Sequence, residues 1–286
     1  IAEAVAKARE ADYVIFVGGL NKSAGQDCED ADRASLSLPY GQDEVISALA
    51  KANPSLVVVN VSGNAVAMPW VKQVPAILQA WFLGSEAGNS IADILFGKVN
   101  PSGKLPMTFP VKLEDVAAHA IGEYPGVKRP GEDIWDEKYN EGILVGYRWH
   151  DTRKIKPLFP FGHGLSYTTF AYGKPAADRR EMAAGETMTI TVAVTNTGDR
   201  EGQETVQLYI TDVKAPVERP AKELKGFRKV SVAPGETKEV TFTITPDDLA
   251  YFDADTHSWT SHPGKYQAHV ASSSADIAAT VPFTLK

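Results

Sequence analysis

An acidic stretch at residues 26–33, Gln-Asp-Cys-Glu-Asp-Ala-Asp-Arg, has the residue types that could carry out acid/base chemistry. It follows an apolar segment at residues 13–17, which we interpret as a buried strand, and a Gly-Gly turn at residues 18–19. In an open α/β sheet, ligands bind beyond the carboxyl ends of the strands. Carboxylates on a loop at such an edge could transfer protons or bind a polar ligand. The alternative is a solvated acidic loop, because runs of charge usually lie on the surface.

One reaction that fits these residues is the hydrolysis of a glycosidic bond, which requires two carboxyl groups flanking the scissile bond. Glu29 is the best candidate for the proton donor by its position in the loop. Asp27, Asp30 and Asp32 are close enough in sequence to favour its protonated form, or to be the acid in its place. Asp32 precedes Arg33, and this pair favours an ion pair that braces the loop.

The other candidate motifs in the sequence are weak. Residues 18–23 resemble a phosphate loop, but their glycine spacing fits neither the dinucleotide fingerprint nor the Walker pattern. No Gly-x-Ser-x-Gly nucleophile motif is present. Cys28, the single cysteine, has no neighbouring histidine, so we interpret it as an inert thiol rather than a nucleophile.

The histidines do not show the spacing of a metal site. None of the six has the spacing of a zinc protease motif, and His163, between two glycines, fits a packed, hydrogen-bonded residue better than a ligand. Asp253, Asp255 and His257 could mimic a metal loop, but a hairpin turn explains them better. We therefore predict neither a metal nor a cofactor.

The composition narrows the class of protein. A chain of 286 residues, 43% hydrophobic and 23% charged, can build two globular domains. Its net charge of -7 argues against nucleic acid as a partner, since phosphate binding requires a basic surface. No apolar run approaches the length of a membrane helix. The sequence opens in an amphipathic helix pattern without Met, which suggests a piece of a longer protein.

The first half of the chain alternates between helix and strand patterns, which predicts a parallel sheet with right-handed crossovers. We predict helices at residues 1–11, 42–53 and 85–96, and strands at residues 13–17, 56–61 and 76–81. From residue 100 to 167 the pattern changes to Pro, Gly and aromatic residues, which indicates ordered coil.

The second half has the pattern of a different fold. Apolar residues alternate with polar ones at residues 188–194, 206–210 and 240–244, with turn sequences between them. This is typical of an immunoglobulin-like or fibronectin type III-like sandwich. We place the first domain at residues 1–165 and the second at residues 166–286.

Several segments, taken in order, resemble glycoside hydrolase family 3. In the first half they are Glu29-x-x-Asp32-Arg33, followed by Leu36-Ser37-Leu38-Pro39 and Gln42, then residues 100–106 (Asn-Pro-Ser-Gly-Lys-Leu-Pro), 139–148 and 160–167. In the second half, residues 219–227 and 233–236 resemble the fibronectin type III-like domain at the C-terminus of many members. The likeness covers nearly the whole chain, and the combination of motifs is specific.

The resemblance implies a retaining, exo-acting β-glycosidase, most often a β-glucosidase or β-xylosidase, in which Glu29 is the acid/base. It also implies an N-terminally incomplete, three-layer α/β sandwich with a mostly parallel sheet, followed by the all-β sandwich. In this family the nucleophile is an Asp on an N-terminal (β/α)8 barrel, which we expect to be the partner domain that this chain lacks. We therefore expect the isolated chain to be inactive.

Two further expectations concern an alternative function and the location of the protein. The alternative function is a non-catalytic module that binds carbohydrate or supports a partner domain. The resemblance also implies a periplasmic or secreted protein acting on a β-glycoside or oligosaccharide.

Overall fold

The computed structural model describes residues 1–29, 33–122 and 124–286, and the chain divides into two compact units. The first unit consists of Ile1–Val99 and Phe109–Leu113, and the second of Asn100–Thr108 and Glu114–Lys286. The domain boundary between residues 165 and 166 stays a prediction. In the described ranges, no helix is both long and apolar enough to cross a membrane.

The first unit is an α/β fold around a three-stranded parallel sheet. Its helices are α1 (Ala2–Glu10), α2 (Gln42–Ala52) and α3 (Ala87–Leu95), the last preceded by a 3-10 turn at Gly84–Glu86. Its strands are β1 (Val14–Gly19), β2 (Leu56–Val61) and β3 (Ala76–Gln79). The strands are ordered β1-β2-β3, with Phe16 paired with Val58 and Val58 with Ile77. The parallel sheet expected from the alternating pattern is confirmed.

The prediction of a buried strand at residues 13–17 is wrong in its burial. Ile15 and Val17 are 48% and 59% exposed, whereas Val58 and Val59 in β2 are fully buried. In the described part of the chain, β1 pairs on one side only, with β2, so it is an edge strand. Alternate side chains of a strand point to opposite faces, and from Val14 to Val17 half-buried and exposed positions alternate accordingly.

The end of β1 is fixed by a glycine and by α2. Gly19 has φ of +138°, and a Cβ at this position would lie 1.9 Å from the Val61 carbonyl oxygen, so no other residue fits. The Gln42 side chain, at the start of α2, accepts a hydrogen bond from Gly19 N (2.8 Å) and donates one to Gly19 O (2.8 Å). The loop that follows β1 therefore leaves the sheet from a fixed point.

The second unit contains a segment of short elements followed by a β sandwich. The short elements are a 3-10 turn (Leu113–Asp115) that begins at the last residue of the first unit, followed by α4 (Ala117–Ala120), β4 (Val127–Lys128), β5 (Trp135–Asp136) and α5 (Tyr147–Arg153). The sandwich strands are β6 (Phe170–Tyr172), β7 (Ala176–Ala177), β8 (Glu181–Met182), β9 (Met188–Asn196), β10 (Gly202–Asp212), β11 (Glu223–Val232), β12 (Thr237–Ile244), β13 (Tyr251–Asp253), β14 (Ser258–Thr260), β15 (Gly264–Ala271) and β16 (Ile277–Leu285), with α6 (Pro246–Leu249) before β13.

The sandwich packs two sheets, ordered β11-β10-β15-β16-β8 and β12-β9-β6, and β7 also pairs with β9. Strand β9 has a strict period of two in burial, and its Ile190, Val192 and Val194 enter the shared core with Phe242 and Tyr266. All of these strand pairs are antiparallel except β16 with β8, and two such sheets closing one apolar core are the arrangement of immunoglobulin-like folds. The predicted all-β sandwich is confirmed.

The segment before the sandwich is bound to it through a buried polar cluster. Lys104 Nζ lies 3.3 Å from Glu204 Oε2 on β10 and donates to the Gly164 carbonyl oxygen at 2.9 Å. Tyr172 donates its hydroxyl to Glu204 Oε1 at 2.7 Å, and burial together with the Glu204 charge raises the pKa of Tyr172 well above its usual value. The motif at residues 100–106 is therefore structural in this unit.

Helix α5 is held against β11 in a similar way. Lys222 Nζ donates to Asp151 Oδ2 at 2.6 Å, and the backbone N–H of Leu224 donates to the Tyr147 hydroxyl at 2.8 Å. Burial raises the pKa of Asp151, while the hydrogen bond and charge of Lys222 act in the opposite direction. The motif at residues 219–227 thus supplies contacts between helix and sandwich.

Candidate active site

The acidic loop begins with a compact turn that its own side chains stabilise. Asn21 N–H donates to Gln26 Oε1 at 3.0 Å, and Asn21 O accepts from the backbone N–H of Asp27 at 3.0 Å. Ser23 N–H donates to Asn21 Oδ1 at 2.7 Å. Asn and Ser favour such local side-chain-to-backbone hydrogen bonds, which is why they occur in turns. The turn delivers Asp27 to the carboxyl end of β2.

Asp27 braces the loop through both of its carboxylate oxygens. Oδ2 accepts from the backbone N–H of Gly63 at 2.6 Å, and Oδ1 accepts from Asn64 Nδ2 at 2.8 Å. A Cβ on Gly63 would lie 2.9 Å from the Phe82 ring and 3.3 Å from Asp27 Oδ2, so a larger residue here would have to displace one or both of these side chains. With both oxygens engaged as acceptors, Asp27 is better suited to holding the loop than to donating a proton.

Arg33 binds the same neighbouring loop from the other side of the acidic stretch. Its Nη2 donates to the Asn64 side-chain oxygen and to the Ala65 carbonyl oxygen, the latter at 2.6 Å. Burial lowers the pKa of Arg33, and the nearby charge of Asp27 partly offsets this. The other two candidate carboxylates, Asp30 and Asp32, lie outside the described residues, so the proposed Asp32–Arg33 ion pair stays a prediction.

The loop after β2 is itself supported by polar side chains at the end of the sheet. Asn60 Nδ2 donates to Ser62 Oγ at 2.9 Å and to Gln79 Oε1 on β3 at 2.7 Å. Ser62 Oγ in turn donates to the Asn64 carbonyl oxygen at 2.8 Å. Asn60 and Ser62 are fully buried, so this network is part of the rigid end of the sheet.

Sequence reasoning missed the residues that follow β2. Two signals could have found them: Asn60 is the only polar residue in the run Leu-Val-Val-Val-Asn-Val, and residues 62–64 follow the carboxyl end of that strand. The rule that places ligands beyond the carboxyl ends of parallel strands applies to β2 as well as to β1. The rule that selected Glu29 in the loop after β1 could therefore also have selected Gly63 and Asn64 in the loop after β2.

Together these residues line an open cavity of about 320 Å³ at the carboxyl ends of β1 and β2. Its lining residues are Gln26, Asp27, Cys28, Glu29, Arg33, Gly63 and Asn64. Glu29 is exposed, and it forms no hydrogen bond or ion pair with another residue that the structure describes. Its carboxyl group is therefore available to exchange a proton with a ligand in the cavity.

The candidates for metal binding in the second unit are structural. Strands β13 and β14 form a hairpin with Asp253 at the end of β13 and with Asp255 and His257 in the turn. Asp253 Oδ1 accepts from the backbone N–H of Asp255 at 2.9 Å. These hydrogen bonds lower the pKa of Asp253. Across the described ranges, no group of three or more His, Cys, Asp or Glu side chains could hold a metal ion. The hairpin interpretation of these residues is confirmed.

His163 is packed as the sequence suggested. Its ring stacks on Phe159, with centroids 5.4 Å apart and planes 19° from parallel. Burial, and secondarily the positive charge of Lys104, lower the pKa of His163. This histidine belongs to the second unit and contributes to its packing.

The fold and the site define a class of protein: an α/β unit with a polar cavity beyond its parallel strands, joined to a fibronectin type III-like sandwich. Residues 1–167 match the glycosyl hydrolase family 3 C-terminal domain, and residues 204–274 match the fibronectin type III-like domain. The chain belongs to glycosyl hydrolase family 3.

Curated relatives support the assignment over the whole chain. A β-glucosidase of Bacteroides ovatus is 54% identical over 98% of this chain, and a β-glucosidase of Rhizobium radiobacter is 47% identical over 100%. The matched regions make up 37% and 34% of those proteins, so the chain spans about a third of their length.

Solved structures give the same result. The GH3 β-glucosidase of Bifidobacterium adolescentis superimposes with a TM-score of 0.91 at 40% identity, over 99% of this chain and 40% of that one. DesR, a β-glucosidase from Streptomyces venezuelae in complex with D-glucose, gives a TM-score of 0.90 at 39% identity, over 100% and 35% of the two chains. The predicted family and fold class are confirmed.

Proposed function

We propose that this chain is the C-terminal part of a retaining, exo-acting β-glucosidase, in which Glu29 is the general acid and then the general base. The observation that carries the proposal is the contrast between the two described carboxylates of the cavity. Asp27 is engaged through both oxygens, whereas Glu29 is exposed beside it. The β-glucosidases among the relatives support the choice of substrate class.

In the first chemical step, Glu29 protonates the oxygen of the glycosidic bond while a nucleophilic carboxylate forms a bond to the anomeric carbon. The leaving group departs as an alcohol, and Glu29 becomes ionised. In the second step, ionised Glu29 takes a proton from a water molecule that attacks the anomeric carbon and displaces the nucleophile. The sugar is released with its configuration retained, and Glu29 is protonated again.

The second carboxylate must come from outside this chain under the proposal. Double displacement requires the acid/base and the nucleophile to be about 5–5.5 Å apart on either side of the sugar. We assign the nucleophile to a (β/α)8 barrel in the part of the enzyme that corresponds to the remaining length of the relatives. The isolated chain should then have no glycosidase activity. The periplasmic or secreted location stays a prediction.

The test is a pair of substitutions at Glu29 in the complete enzyme. Glu29→Gln should lower kcat/KM for cellobiose and phenyl glucoside by about 100-fold or more, the usual contribution of general acid catalysis. 2,4-Dinitrophenyl glucoside needs no protonation of its leaving group, so its first step should be much less affected. Glu29→Ala should be partly rescued by azide, with glucosyl azide as the product.

A matched control is Glu10→Gln, which removes an exposed carboxylate from α1. It should leave kcat/KM unchanged for both unactivated and activated glucosides. Unchanged hydrolysis of cellobiose by Glu29→Gln would contradict the assignment, and so would hydrolysis of phenyl glucoside by the purified isolated chain.

A further inference from the structure

We infer that Asn64 is a positioning residue for Glu29: its side-chain amide staples together the two ends of the loop that carries the acid. The inference rests on the proposed function of Glu29. It assigns a role to a residue on a different loop, 35 positions away in the sequence.

The staple consists of two hydrogen bonds of opposite polarity. Asn64 Nδ2 donates to Asp27 Oδ1 at 2.8 Å, and Asn64 Oδ1 accepts from Arg33 Nη2. Asp27 is two residues before Glu29, and Arg33 is four residues after it. One planar amide therefore holds both ends of the acidic loop at the same time.

The chemistry of this position requires a group that both donates and accepts hydrogen bonds, as the Asn64 amide does. The Asp27 carboxylate accepts hydrogen bonds only, and the Arg33 guanidinium donates them only. A residue between them must donate on one side and accept on the other. A carboxylate in place of the Asn64 amide would satisfy Arg33 but would stand against the Asp27 carboxylate, and like charges so close repel each other.

The staple is anchored to the sheet rather than to the loop that it holds. Ser62 Oγ donates to the Asn64 carbonyl oxygen at 2.8 Å, and Gln79 Nε2 donates to Ser62 Oγ at 3.1 Å. The Ala65 carbonyl oxygen, which accepts from Arg33, belongs to a buried residue. Direct hydrogen bonds therefore link Asp27 and Arg33, on either side of the acid, through Asn64 and Ser62 to the end of the sheet.

Such anchoring matters to an acid on a loop. Proton transfer to a leaving group requires hydrogen-bond distance to the reacting oxygen, and small displacements of a catalytic group cost large factors in rate. Glu29 is exposed on its loop, so its position follows from that of the loop. Loss of the staple should weaken acid catalysis while leaving the fold and sugar binding largely in place.

The experiment uses a donor–acceptor swap in the complete enzyme. Asn64→Asp alone should lower kcat/KM for phenyl glucoside by about 10- to 100-fold, which is part of the rate enhancement that a general acid usually contributes. The double variant Asp27→Asn/Asn64→Asp exchanges donor and acceptor while keeping the net charge. Its new amide can donate to the new carboxylate and accept from Gly63 N–H, and that carboxylate still accepts from Arg33. We expect this variant to recover to within about 5-fold of the wild type.

The readout that separates positioning from general damage is the dependence on the leaving group. Asn64→Asp should change kcat/KM for 2,4-dinitrophenyl glucoside by less than about 3-fold, because departure of that group needs no acid. Asn64→Ala should show the same selectivity without the added charge. Asn89→Ala is the matched control, because it removes an exposed amide-to-carboxylate hydrogen bond to Glu86 in the same unit. It should leave kcat/KM for both substrates unchanged.

Each outcome decides between the alternatives. Equal losses on both substrates, or failure of the swap to restore phenyl glucoside hydrolysis while the melting temperature is normal, would overturn the staple. If Glu29→Gln itself shows no dependence on the leaving group, the proposed function fails instead. The two failures are therefore distinguishable.

Discussion

Lys104 Nζ lies 3.3 Å from Glu204 Oε2, across 100 residues of sequence, and both side chains are nearly buried, at 14% and 6% exposed. A buried carboxylate with a single cationic partner depends on that partner, because removing it leaves an uncompensated charge. Glu204 also accepts from Tyr172, so the cluster joins the segment at residues 100–108 to two strands of the sandwich.

The first prediction concerns this cluster. Lys104→Met should destabilise the second unit by about 3 to 5 kcal/mol, because Glu204 would stay buried without its cation. The measurement is thermal and urea unfolding of the protein. Lys98→Met is the matched control, since Lys98 pairs with Asp93 while 75% exposed, and it should cost at most about 1 kcal/mol. Equal effects of the two substitutions would contradict the importance of burial.

The second prediction compares two glycines that face each other. A Cβ on Gly164 would lie 2.1 Å from the Gly103 carbonyl oxygen, a contact with backbone that no rotamer can relieve. Gly164→Ala should therefore cost about 2 kcal/mol or more. A Cβ on Gly103 would meet nothing within 4 Å, so Gly103→Ala should stay within about 0.5 kcal/mol. Melting temperatures of the two variants test this, and a tolerated Gly164→Ala would show that the segments do not pack as described.

The third prediction uses the Lys222–Asp151 pair. Burial raises the pKa of Asp151 above 3.8, and Lys222 limits the rise. Lys222→Met should raise the pKa of Asp151 further in the folded state. A folded-state pKa above the unfolded value stabilises the protein at low pH and loses that contribution as pH rises. The destabilisation by Lys222→Met should therefore be larger near about pH 7 than near about pH 4.

Urea unfolding of the wild type and the variant at both pH values measures that difference. Lys98→Met again provides the control for an exposed lysine in an ion pair. A loss that is the same at both pH values would show that Asp151 does not titrate in the way its burial requires.

The fourth prediction concerns His163 and acid sensitivity. Burial lowers the pKa of His163 below 6.5 in the folded state. A depressed folded-state pKa contributes stability above the unfolded pKa, and that contribution is lost as pH falls through the folded pKa. The difference in unfolding free energy by which the wild type exceeds His163→Gln should therefore decrease as the pH falls from about 7.5 to about 5.5.

Unfolding free energies at the two pH values measure the effect. His269→Gln should show the same direction, because burial also lowers the pKa of His269. An advantage of the wild type that grows as the pH falls would contradict the argument for both histidines.

Much of the fold could be predicted from local patterns. The run at residues 56–61 became β2 with the predicted bounds, and the period of two at residues 188–194 became the longer strand β9. The strand predicted at residues 13–17 formed but extends to Gly19, and its burial was wrong. Periodicity reports which residues alternate along an element, whereas burial depends on what packs against each face.

The site was predictable only in part. The choice of the loop after β1 followed from the rule for parallel sheets, and Glu29 lines the cavity there. Its role stays a prediction. The sequence did not indicate that Asp27 would be engaged by Gly63 and Asn64, because those partners are 36 and 37 positions away.

By itself, the sequence determined the order of helices and strands, the change from α/β to all-β, and the family, because each depends on local periodicity or on short motifs. Only the tertiary structure decided which carboxylate is held and which is exposed. The parallel pairing of β1 with β2 places two loops side by side that are distant in the chain. Hydrogen bonds across that gap then fix Asp27 and Arg33 on either side of Asn64.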